Sequence, residues 1–160
     1  MAKKSEPTAG GATPATLALV QAGIEFVAHT YDHDPRAASF GMEAAEKIGI
    51  DPERVFKTLL ADVDGELVVG VVPVAGSLDL RALAAAAGGK RAVMADPMLA
   101  QRRTGYVVGG ISPIGQKAAH RTFVDSSAIL CESMLVSGGR RGFDVELAPD
   151  DLLAVTGATY

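Results

Sequence analysis

Four segments of the sequence hold residues whose types and spacing could do chemistry. His29-Thr30-Tyr31-Asp32-His33-Asp34 crowds two imidazoles and two carboxylates together. That suits a metal site or an acid–base pair, but a third strong ligand at a known spacing is missing, and a polar turn at a strand end is the plainer account. Lys57 interrupts the apolar run Val55-Phe56-Lys57-Thr58-Leu59-Leu60. Facing inward it would anchor an anion; facing outward it is an ordinary strand lysine. Two glycine pairs, in Gly109-Gly110-Ile111-Ser112-Pro113 and Ser137-Gly138-Gly139-Arg140-Arg141-Gly142, each follow a predicted strand. Paired glycines let a backbone come close to another group, and free N–H groups can hold a phosphate or a carbonyl oxygen. Neither matches a dinucleotide or P-loop fingerprint, and two ordinary turns would read the same way. Cys131, in Ala128-Ile129-Leu130-Cys131, has the company of an inert buried thiol, and no nucleophile elbow marks a Ser-His-Asp triad.

The elements that must position these residues follow from caps, breakers and alternation. Residues 1–12 read as a flexible tail, and a single domain is expected over 13–160. Thr13-Pro14 opens a helix that Gly23 stops, and a strand is expected over Glu25–Tyr31. A second helix runs from about Gly41 to Gly49, and Asp51-Pro52 caps a short turn. Val55–Val63 and Glu66–Val74 form a hairpin around Asp64-Gly65, with Pro73 suggesting that the second strand ends near an edge. An Ala-rich helix spans Leu78–Ala87, then come a strand over Arg91–Ala95 and a helix from Asp96-Pro97 to Arg103. Strands are predicted at Tyr106–Val108, His120–Val124, Ser133–Ser137 and Phe143–Leu147, and a last helix from Pro149 to Gly157. Strands joined by hairpins and short loops favour an α+β domain with a mixed, mostly antiparallel curled sheet and surrounding helices over a doubly wound one.

Composition narrows the classes. The chain has 160 residues, 48% hydrophobic, with no Trp and one Cys, so the core is aliphatic and a disulfide framework or Cys-rich zinc site is excluded. No apolar run approaches the length of about 18 residues that a membrane helix needs, so no membrane partner and a cytoplasmic location are expected. The net charge of −4 is unevenly spread. Between Lys90 and Arg141 stand eight basic and three acidic residues. Lys90-Arg91, Arg102-Arg103, Arg140-Arg141, Lys117 and Arg121 could meet phosphates, or form a solvated surface of scattered charge.

Taken in order, these segments resemble the YbaK family of bacterial cysteinyl-tRNA(Pro) deacylases, relatives of the editing domain inserted in bacterial prolyl-tRNA synthetases. The motifs are His29–Asp34; Gly41 with Glu43-Ala44-Ala45-Glu46; Val55-Phe56-Lys57-Thr58-Leu59; Thr104–Pro113; and Ser137–Gly142. The likeness runs from about Thr13 to Ala158. It implies the α+β fold and hydrolysis of tRNA(Pro) wrongly charged with cysteine, with no cofactor and no metal. It also implies a pocket holding Tyr31, Phe40, Lys57, Gly109, Ser137 and Asp144. Lys57 would anchor the terminal adenosine or its phosphate. The Gly109-Gly110 loop, with Ser112 and Pro113, would lie along the aminoacyl group and offer N–H groups to the ester carbonyl. Ser137 and Asp144 would position the aminoacyl end, and Tyr31 and Phe40 would shape the pocket.

In the resemblance's route the substrate's own thiol attacks its ester, so the protein supplies grip and geometry rather than a nucleophile. Proximity of that kind is worth up to roughly 7–11 kcal/mol of barrier. The acceptor end of tRNA(Pro) and prolyl-tRNA synthetase are the implied partners. Editing of another charged tRNA, such as alanyl-tRNA(Pro), and a non-catalytic tRNA- or synthetase-binding module are the competing readings.

Overall fold

Alternation along one strand sets the plan of the molecule. In β7 (Phe143–Leu147) the side chains of Phe143, Val145 and Leu147 are each no more than 2% exposed. Asp144 and Glu146, at the intervening positions, occupy the opposite face. The computed structural model describes residues 11–160, so the tail expected over 1–12 lies outside the described residues except for Gly11 and Ala12. β7 is the middle of a three-stranded antiparallel sheet, flanked by β1 (Val27–Thr30) and β6 (Met134–Arg140). A second sheet has the order β4 (Ala92–Met94), β2 (Phe56–Val63), β3 (Glu66–Pro73), β5 (Arg121–Val124). Only β3 and β5 pair in parallel there. A parallel bridge between Val55 and Leu135 joins the two sheets, so the whole reads as one curled, mostly antiparallel layer.

Helices close its faces. α1 (Pro14–Gln21) begins with a reciprocal cap: Thr13 Oγ1 accepts from the Thr16 N–H at 3.1 Å, and Thr16 Oγ1 from the Thr13 N–H at 2.9 Å. α2 (Phe40–Ile48) is capped by Ser39 and stopped by Gly49. α3 (Leu80–Ala86), α4 (Pro97–Thr104) and α5 (Pro149–Thr156) complete the set among the described residues. Leu19, Phe56, Val69, Ile114, Met134, Phe143 and Leu152 meet in the main apolar core, which takes in aromatic rings beside the expected aliphatic side chains. None of the described helices is long and apolar enough to cross a membrane.

Three sequence expectations are corrected. Tyr106–Val108 is not a strand. Gly105 ends α4, Tyr106 is buried with its hydroxyl donating to the Ile114 carbonyl at 2.6 Å, and the Gly110 N–H bonds back to Val107. Anchoring the ring in the core overrides the local β propensity. The Ser137–Gly142 segment does not follow a strand but begins inside one: β6 runs on to Arg140 through a bulge between Ser137 and Arg140, and only Arg141-Gly142 make the turn. Finally, β3 is an interior strand, although Pro73 does end it. β5 pairs with it only as far as Val71, so the missing proline N–H falls beyond that ladder. The Asp64-Gly65 hairpin forms as expected, both residues having positive φ (50° and 95°).

Leu135 is fully buried at the seam, whereas Leu130 is 88% exposed. Leu135→Ala is expected to lower the unfolding free energy by about 2–5 kcal/mol. Leu130→Ala is expected to stay within about 0.5 kcal/mol. Urea unfolding of the two variants checks both values.

Candidate functional site

Where the sheets join, a cavity of about 370 Å³ opens between β2, the face of β6 and β7 opposite the main core, and the first turns of α2 and α4. Its wall is mostly apolar, with Phe40, Val55, Leu59, Leu60, Met94 and Ile111 contributing. Tyr31, Phe40, Lys57, Gly109, Ser137 and Asp144 all line it. Each arrives by a local rule. Ser137 and Asp144 are register partners across β6 and β7, and therefore share a face. Tyr31 follows β1 and is fixed by its N–H to the Gly142 carbonyl at 3.0 Å. Phe40 is the first residue of α2, held by the Ser39 cap. Lys57 is on β2 and lines the cavity, while its Nζ donates to the carbonyl of Gly76, outside the lining, at 2.7 Å.

Asp144 is the electrostatic centre. It is 7% exposed, and burial alone pushes its pKa from 3.8 up to about 7. Among the described residues no cation pairs with it. Tyr31 is pushed up to about 12, first by burial and then by the charges of Asp144 and Glu43, so its phenol remains protonated. Two residues along the same strand face, Glu146 has the opposite environment. Burial would raise its pKa, but hydrogen bonds from Ser133 and His29, with the charges of His29 and Arg54, hold it below the usual value. Its oxygens take His29 Nε2 at 2.8 Å and Arg54 Nη2 at 2.8 Å.

Gly109 occupies a corner where any side chain would be strained. Its φ is +88°, and a Cβ there would lie 2.9 Å from the Phe40 ring and 3.0 Å from Arg141 Nε. Among the described residues its N–H makes no hydrogen bond. Gly110 N–H is spent on Val107, and its Cα packs so closely on the Arg140 backbone that a Cβ would come within 2.7 Å. Gly110, Ser112 and Pro113 do not line the cavity. Ser112 is fully buried behind the loop, where its hydroxyl accepts from the Ile114 N–H.

The histidines are engaged away from the cavity. His33 Nδ1 meets Glu43 at 2.7 Å, His29 meets Glu146, and His120 meets Gln116 at 2.8 Å. No group of three or more metal-binding side chains gathers among the described residues. Cys131 is half-buried rather than buried; Ile129 and Leu130 beside it are exposed, and it lines a different groove with Asp51 and Glu53. Burial, the largest influence on it, raises its pKa. Two features in and beside the cavity escape a reading by segment. Thr58 lines the cavity with a buried hydroxyl that has no hydrogen-bond partner among the described residues. The Glu146 clamp was signalled by Phe143-Asp144-Val145-Glu146-Leu147, whose alternation puts both acids on one face.

Known proteins share this architecture. The family model for the aminoacyl-tRNA editing domain matches residues 34–155. A protein of Enterococcus faecalis named "Putative Cys-tRNA(Pro)/Cys-tRNA(Cys) deacylase EbsC" is 39% identical over 118 residues, 72% of this chain and 71% of that one. A proline–tRNA ligase of Maridesulfovibrio salexigens is 33% identical over 100 residues, 62% of this chain but 17% of the ligase. A crystal structure described as that of "a putative trans-editing enzyme for prolyl tRNA synthetase" matches with a TM-score of 0.79 at 23% identity, over 92% of both chains, which establishes the fold. With most of its length matched by that model, the chain belongs to the aminoacyl-tRNA editing domain family.

Proposed function

We propose that this editing domain acts in trans as a deacylase of cysteinyl-tRNA(Pro), the cysteine thiol attacking its own ester while the protein holds both ends. The observation that carries the reading is a mostly apolar cavity with polar groups for positioning but no activated nucleophile. Ser137 accepts from the Gly139 N–H at 3.2 Å, no histidine lines the cavity, and Cys131 lies elsewhere. Attack by the substrate thiolate forms a C–S bond at the ester carbon and places the negative charge on the carbonyl oxygen. Collapse breaks the bond to the ribose oxygen, which takes a proton, and frees the tRNA and a strained thiolactone that water opens to cysteine.

The roles of the lining residues follow from their chemistry. Lys57, with no acidic partner among the described residues, grips the terminal nucleotide. The Gly109 N–H faces the developing oxyanion. Ionised Asp144 pairs with the α-ammonium of the aminoacyl group, replacing the partner its burial denies it, and Ser137 hydrogen-bonds the same end. Tyr31 and Phe40 set the pocket's width. The similarity of EbsC and of the proline–tRNA ligase segment supports tRNA(Pro) as the adaptor and prolyl-tRNA synthetase as the protein that delivers it.

Pure protein is expected to deacylate cysteinyl-tRNA(Pro) at least tenfold faster than the seryl, alanyl or prolyl forms and to release the thiolactone, a preference of about 1.4 kcal/mol or more. Equal rates for cysteinyl and seryl esters refute the thiol route, and a preference for alanyl-tRNA(Pro) moves the specificity. Lys57→Ala is expected to cost about tenfold or more in kcat/KM, from loss of a charge-assisted contact, while Cys131→Ala retains activity. Asp144 supplies a pH test. Its folded pKa lies above its unfolded one, so the folded chain holds the proton more tightly. The group's contribution to stability is therefore full below about pH 4 and is lost as pH rises to about 7. Across that window the Tm of Asp144→Asn is expected to gain on wild type. In wild type kcat/KM is expected to rise through about pH 7, and the asparagine variant to lack that inflection.

A further inference from the structure

Arg141 is tied to the cavity rim by two contacts, and among the described residues it pairs with no acid. Its guanidinium carbon lies 5.1 Å from the centre of the Phe40 ring. Its Nε donates to the Val108 carbonyl at 2.9 Å and sits 3.0 Å from where a Gly109 Cβ would be. Phe40, Val108 and Gly109 all line the cavity. A long side chain exposed at a hairpin tip is thereby held in one orientation, with much of the entropy of fixing it already lost.

The other cations divide into two kinds. Arg54 and Lys47 are consumed by Glu146 and Glu43, and Arg36 and Arg121 pair with Asp34 and Glu66. Arg81, Lys90, Arg91, Arg102, Arg103, Lys117 and Arg140 line no part of the cavity; Arg141 does not line it either, but it rests on Phe40 and bonds Val108, which do. Lys57 and Arg141 remain: one in the β2 wall, the other at the β6–β7 hairpin, neither in an ion pair among the described residues. In Arg141 only Nε is engaged, so both terminal amino groups of the fork are free among the described residues. A planar two-pronged donor without an acid fits a phosphate better than a carbonyl or a ribose hydroxyl.

We infer that Arg141 binds the phosphodiester on the 5′ side of the terminal nucleoside, so that the substrate is gripped at its last phosphate as well as inside the cavity. The inference rests on the editing reading for the identity of the ligand. Phe40 then has two functions, walling the cavity and holding the guanidinium flat. The glycine at 109 is required both for its own backbone and for the room it leaves Arg141.

The test uses two stable amide analogues, 3′-cysteinylamino-3′-deoxyadenosine with and without a 5′-phosphate, titrated by calorimetry into the full chain. Wild type is expected to bind the phosphorylated analogue about tenfold more tightly, the effect of one charge-assisted contact at an exposed site. In Arg141→Ala the ratio of the two affinities is expected to fall to about one. In Arg141→Lys it is expected to be intermediate, since charge is kept but the fork and its seat on Phe40 are lost. A ratio of about ten retained in Arg141→Ala, including the case in which both analogues weaken in proportion, overturns the inference, as does a wild type indifferent to the phosphate. None of these readouts needs turnover. Failure to deacylate any aminoacyl-tRNA therefore sinks the editing reading separately.

Discussion

The parity of β7 is the constraint on which the rest depends. Three of its side chains must enter the core, and Phe143 and Val145 are wholly buried there. A strand offers only two faces, so Asp144 and Glu146 are driven together to the other one. That face is only partly open to water, because β2 and the first turns of α2 and α4 wall the cavity over it. One acid is closed into a clamp with Arg54, His29 and Ser133; the other is left in a cavity with nothing to neutralise it. The hydrophobic energy of the core thereby maintains a carboxyl in a place it would not choose, the usual origin of a poised group in a site.

The two acids show how environment sorts one chemistry into two uses. Glu146 is ionised, satisfied and structural, fastening the turn before β2 to the end of β7. Asp144 shares the strand face but is buried more deeply and is unpaired among the described residues, and it carries the opposite displacement in pKa. An apolar cavity with one such group can hold a cationic amine without offering any reactive side chain of its own. This division is consistent with a scaffold that orders a reaction whose nucleophile comes with the substrate.

Much of this could be read before the fold was known, and the failures have physical reasons. Caps at Thr13 and Ser39, the Asp64-Gly65 turn and the alternation of β7 are local, and they gave their elements to within a residue or two. Tyr106–Val108 misled because the force on it is remote: a ring seated in the core and a hydroxyl bound to Ile114 outweigh a short β-prone run. The pairing of β3 with β5, which makes β3 an interior strand, joins segments about fifty residues apart and has no local signature. At the cavity, Lys57 was ambiguous because strand parity alone does not say which face is enclosed. Gly110 and Ser112 looked like ligand contacts, but small residues serve equally where one backbone must press against another.

The connectivity has a consequence for the birth of the protein. β1, near the beginning of the described chain, completes its ladder only with β7, near the end, and β3 waits for β5. Pairings of such wide sequence separation are slow, since loop closure must precede any reward. While the chain is still emerging from a ribosome, the β2–β3 hairpin can form but the wall carrying Ser137 and Asp144 cannot. The cavity therefore comes into being late, nearly all at once, and until that moment the apolar faces of the hairpin are the part of the nascent chain most exposed to wrong partners.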